Sequence, residues 1–139
     1  MSAALDDATV AYVLETRRHF EDLRQVCSQL AGLLVLVAAG SESAGPHHPL
    51  LESADRLHQE AADGVARARA TDRSRRHHTY LARASAELRI ALDAARSGRE
   101  IDLVLAPLRR AYDALQAASR ELPGFEMVSF EMSCCGGKS

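Results

Sequence analysis

The sequence predicts an all-α protein, an up-down-up-down antiparallel four-helix bundle with an extended C-terminal tail, and three observations predict it. Ala and Leu dominate the apolar residues, Trp is absent and only 4% of residues are aromatic, which favours helix over sheet because sheets draw on β-branched and aromatic side chains. Apolar residues recur at alternating steps of three and four along four successive stretches. Turn-forming breaks separate the stretches, and connections this short make successive helices antiparallel neighbours.

The first helix carries Leu5, Tyr12, His19, Val26 and Leu33 on one row and Leu23, Leu30 and Val37 on the next, with Val13, Phe20, Cys27 and Leu34 widening the stripe. Gly40 through Pro46 stops it with a glycine cap, turn formers and a proline. Its expected length is ~50 Å, and it exceeds the other helices by roughly ten residues, an overhang of ~15 Å. An overhanging apolar stripe calls for a dimer partner or for the tail as cover; otherwise its first turns fray. The second helix starts near Pro49 and buries Leu50, Leu51, Ala54, Leu57, Ala61, Val65 and Ala68. A continuous helix from Pro49 to Ser97 would span ~73 Å, too long for a domain of this size. The corner is therefore placed at Thr71-Asp72-Arg73-Ser74, with Ser or Asp as cap. The third helix carries Leu81, Ala84, Leu88, Leu92 and Ala95, and Ser97-Gly98-Arg99-Glu100 ends it. The fourth begins near Ile101 or Asp102, with Asp102 as candidate cap, and presents Leu105, Leu108, Tyr112, Leu115, Ala118 and Leu122. Pro107 sits early in it, and Pro123-Gly124 closes it.

The chain of 139 residues thus divides into a bundle, 1–123, and a tail, 124–139. With 47% hydrophobic and 26% charged residues it has an ordinary globular balance. A net charge of −2 creates no field for nucleic acid or an anionic membrane. Arg67, Arg69, Arg73, Arg75 and Arg76 form a basic run, read as a solvated corner because no aromatic platform accompanies it. The first residues lack a basic segment followed by an apolar core, so no signal peptide is expected. The most apolar window, 30–39, is far short of the ~20 residues a bilayer demands. Three cysteines do not make a disulfide framework, and a cytoplasmic location is expected.

The tail is compositionally distinct. It holds two of the three Phe and two of the three Cys, whereas an idle terminus is polar. Full burial of a large apolar side chain is worth ~1.5–3 kcal/mol. Phe125, Met127, Phe130 and Met132 are therefore candidate docking residues, held in extended form against the bundle or a partner. Cys134-Cys135 is the sharpest chemical feature. Adjacent Cα atoms lie ~3.8 Å apart, below the usual disulfide range of ~4.4–6.8 Å. Two thiols before Gly136-Gly137 suit a soft ion or mixed disulfides. A structural zinc site needs about four ligands. His77 and His78, at the bundle end where the fourth helix finishes, are the candidates to join the thiols around zinc or copper. Against this, neighbouring helical residues point ~100° apart, and His77 lies on the apolar seam.

Other chemistry is tested and set aside. No Glu is followed three residues later by His, as di-iron carboxylate bundles require. Glu15 and His19, four apart, read as a hydrogen-bonded pair. Phosphate-binding loops, dinucleotide fingerprints and nucleophile elbows are missing from the sequence. Ser85-Ala86-Glu87-Leu88-Arg89-Ile90-Ala91-Leu92, within the helix from Tyr80, resembles the phosphoacceptor helix of sensor histidine kinases. Ala86 stands where that family has its histidine and Ala91 where it has proline, so the resemblance implies no phosphotransfer here. The expected function is a non-enzymatic interaction module that uses the tail and the long first helix to form a homodimer or dock on a partner protein. The alternative is a small metal- or thiol-handling protein built on Cys134 and Cys135.

Overall fold

The computed structural model describes residues 5–42 and 44–127. They form four helices, α1 (Asp7–Ala38), α2 (Pro49–Arg67), α3 (Arg75–Arg96) and α4 (Ile101–Glu121), and no strand occurs among the described residues. The all-helical bundle is thus as the apolar periodicity predicts. Cross-helix pairs reveal the packing directions. Going up α2, Asp55, His58 and Val65 meet Arg89, Ser85 and His78 going down α3. On α3 and α4, Arg76 meets Glu121 and Glu87 meets Arg110. Each of these two pairs of helices runs in opposite directions.

Local chemistry accounts for the boundaries. Asp6 caps α1, its carboxylate accepting from Thr9 N at 2.7 Å, and the Thr9 side chain together with that backbone bond holds the Asp6 carboxyl below its ordinary range. Gly40, at φ 83°, ends α1. Pro49 opens α2 where its missing N–H costs least, and the His48 ring accepts from Leu50 N at 3.0 Å. The corner between α2 and α3 needs no glycine because Thr71 and Ser74 close it together. Thr71 N donates to Ser74 Oγ at 2.7 Å, and Ser74 N donates to Thr71 O at 3.1 Å. Ser74 occupies the capping position of α3, but its hydroxyl is spent on the corner and makes no bond into the helix. Asp102 is not the cap of α4: Glu100 takes that position, and Asp102 sits in the first turn, where a negative charge suits the helix dipole.

Most of the core comes from the rows the spacing singles out, but Leu50, Leu57, Ala95 and Leu105 are only half-buried, and α4 buries Val104, Ala111 and Ala114, which the predicted face left out. Tyr12, Phe20, Leu23, Val26, Leu30, Leu51, Leu81, Leu88, Leu92 and Leu115 are all essentially buried. Tyr112 departs from the prediction, being 39% exposed at the flank of α4. Glu15 and His19 are not hydrogen-bonded to each other among the described residues. The His19 ring instead lies against the backbone of Gly64 on α2, in the space a side chain there would occupy. Gly64→Ala should therefore destabilise the fold by about 1–2 kcal/mol in urea unfolding, although alanine is the better helix former. The double variant His19→Ala, Gly64→Ala is expected to recover that loss.

The overhang of α1 falls at its C-terminal end. Its first turns are pinned, with Thr9 Oγ1 2.8 Å from Thr71 Oγ1 and Tyr12 Oη 2.8 Å from His77 Nδ1. Beyond Leu33, no residue of α1 is fully buried.

Candidate functional site

His77 and His78 stand in the first turn of α3. There the start of α1, the corner before α3 and the end of α4 converge. Helical geometry sends the two rings in different directions. His77 is fully buried and shares a hydrogen bond with Tyr12 through Nδ1. His78 Nε2 lies 2.8 Å from the Val65 carbonyl oxygen and donates to it. Phe125 seals His77 from the far side, its ring centroid 4.1 Å away and tilted by 44°. The same Phe125 ring meets Phe20 edge-on at 5.3 Å. His77 Nε2 is buried without a partner, and burial, helped by the neighbouring His78, pushes the imidazole down to about 4. Burial raises the Tyr12 hydroxyl well above its ordinary range. The pair is thus a neutral hydrogen bond inside the core, fit to fix the register of α1 against α3 rather than to meet a ligand.

Cys134, Cys135, Phe130 and Met132 lie outside the described residues. Among the described residues no group of three or more His, Cys, Asp or Glu side chains converges in a way that could hold a metal ion. Phe125, four residues short of Ser129 in the tail, is 2% exposed and belongs to the core, and Met127 is half-buried against it. The basic run around the corner is partly compensated, with Arg75 bonded to Asp72 at 2.6 Å and Arg76 3.8 Å from Glu121.

The unexplained surface lies at the other end of the molecule. From Gln25 to Ser41 the sequence contains no charged residue, yet the helix there is covered on one side only. Val35 is 67% exposed and Leu36 42%. Gly32 opens on empty space, and Ser28 and Ala31 are exposed beside it. On the α4 flank of this stretch, Cys27 and Ala31 border a cleft of about 420 Å³ with Leu105, Leu108, Arg109 and Tyr112 across from them. Cys27 is itself buried, and burial pushes its thiol up to about 12, so it is a small apolar wall and no nucleophile. The uncharged stretch is visible in the sequence. So is the overhang of α1, but not that it falls at this end and not at the first turns, because helix length alone does not fix how the helices are staggered.

No helix of the described residues is long and apolar enough to cross a membrane. Comparison with protein families, with curated proteins and with solved structures finds no match.

Proposed function

We propose that the chain is a non-enzymatic helical interaction module that pairs with a second copy of itself through the solvent side of the second half of α1, with the apolar tail as a further contact element. The observation that carries this reading is the exposure of Val35 and Leu36 on a helix end that bears no charge from Gln25 onward. Ser28, Gly32 and Leu36 recur every four residues, so they form one ridge. Two small residues followed by a large one let a second helix approach closely and then seat its own apolar side chain. An uncharged face of ~21 Å is long enough for a four-turn helix–helix contact. The buried Tyr12–His77 pair supports a structural role for the histidine that the thiol- and metal-handling alternative would recruit.

Sedimentation velocity across micromolar concentrations tests this. The wild-type chain is expected to run as a dimer, and Gly32→Glu and Leu36→Glu each as a monomer with an unchanged melting temperature, since neither residue packs in the core. A wild-type chain that stays monomeric throughout contradicts self-association and directs attention to a partner helix for the same face.

A further inference from the structure

We infer that two copies of the chain pair through α1 in antiparallel orientation, about a two-fold axis level with Leu23, so that Leu14 of each copy seats against Gly32 of the other. This rests on the self-association proposed above and assigns what the uncharged half of α1 meets, namely the first half of the same helix in the second copy. The large apolar side chains exposed on α1 stand in two separate patches. Val35 and Leu36 form the one already described. Val10, 40% exposed, and Leu14, 65% exposed, form the other, near the start of the helix. Val10, Leu14, Glu21, Ser28, Gly32 and Val35 follow one another at steps of three, four and seven, so both patches lie on one solvent face. Between them that face carries its charges, Arg17, Arg18, Glu21 and Arg24. Arg18 lies 3.9 Å from Asp22, whereas Glu21 and Arg24 form no ion pair among the described residues.

Charge decides the orientation. A parallel pair in register brings Arg17, Arg18, Glu21 and Arg24 each level with its own copy, a seam of like charges. An antiparallel copy reverses the order. Leu14 and Gly32 are each nine residues from Leu23, and Val10 and Leu36 are each thirteen, so each pair comes level across the axis. Glu21 then falls within one residue of Arg24 of the other copy, and the two-fold makes that attraction twice. Arg17 and Arg18 come level with Gln29 and Ser28, in the half that bears no charge. Sizes match as the charges do. Gly32 opens on empty space, and the Leu14 side chain of the second copy fills it. The contact runs from Val10 to Leu36, ~39 Å along the helix, and covers both patches.

Disulfide trapping tests the register on the full chain, with Cys134→Ser and Cys135→Ser removing the tail thiols; Cys27 is buried and does not compete. Leu14→Cys and Gly32→Cys are placed in separate chains, and both positions are exposed, so neither change reaches the core. Mild oxidation of an equimolar mixture is expected to give the mixed disulfide, identified by intact mass. Each chain oxidised alone is expected to give none, because its two copies of the new thiol stand ~27 Å apart along the helix, far beyond disulfide reach. Independently, Glu21→Arg should raise the dimer dissociation constant about tenfold, and adding Arg24→Glu should restore it, since the reversed charges meet each other across the axis. Homodisulfides from each chain alone would show a parallel pair. A wild-type dimer that yields no disulfide, or a double charge reversal that fails to rescue, would put the contact on another surface. Each of these overturns the assignment and leaves self-association standing, whereas a wild-type chain that sediments as a monomer overturns both.

Discussion

Phe125→Ala is expected to cost about 3–5 kcal/mol, as much as any single truncation in the bundle. Phe125 lies beyond the proline-glycine stop, where chain ends are normally dispensable. Here it is 2% exposed, edge-on to Phe20 and stacked at a tilt on His77. Removing its ring opens a cavity bounded by three elements, and helices cannot collapse into it without losing the Tyr12–His77 hydrogen bond. A domain of this size has ~5–15 kcal/mol of total stability, so the variant should unfold at a much lower urea concentration with an unchanged slope. Glu126→Ala, on the exposed neighbour, is the control and should stay within ±0.5 kcal/mol or so. A loss below ~1 kcal/mol for Phe125→Ala would mean that the ring is not part of the cooperative core.

The helices were legible in the sequence because each rests on a repeating local pattern. Leu81, Ala84, Leu88 and Leu92 are buried in the order that a 3.6-residue period dictates. The corner at Thr71–Ser74 was legible too, since four polar residues in a row have no other role between two apolar stretches. Contacts that depend on the register between helices were not. Tyr12 and His77 are 65 positions apart, and nothing local links them. The same is true of Gly64, whose lack of a side chain matters only because His19 of α1 arrives there. Tyr112 fits the apolar period of α4 as well as Leu115 does, but α1 and α4 stand apart at its level and leave it at the rim of the cleft. Periodicity shows which residues share a face and cannot show how closely the neighbouring helix approaches that face.

Acid should weaken the fold by a route that His77 dominates. In the unfolded chain its imidazole titrates near ~6.5, while burial holds it down to about 4 in the folded state. Above the unfolded value both states are neutral and the group has no effect on stability. As pH falls below it, the unfolded chain takes up a proton that the folded chain refuses, so stability declines until the folded value is reached. Over that window the loss approaches ~1.4 kcal/mol per pH unit, on the order of 3 kcal/mol once the folded value is passed. His58, lowered by burial against the pull of nearby Asp55 and Asp93, acts in the same direction. Asp22, raised by burial, acts in the opposite direction, since its folded form takes up a proton first as pH drops. Urea unfolding at pH 7 and pH 4.5 separates these contributions. The comparison variant is Tyr12→Phe with His77→Leu, because replacing one partner alone would leave the other's polar atom buried without a bond, a loss of ~1–3 kcal/mol unrelated to titration. Wild type is expected to lose about 2 kcal/mol more than the double variant between the two pH values. Equal losses would place the acid sensitivity elsewhere and show that His77 is protonated inside the fold, which its sealed position against Phe125 forbids.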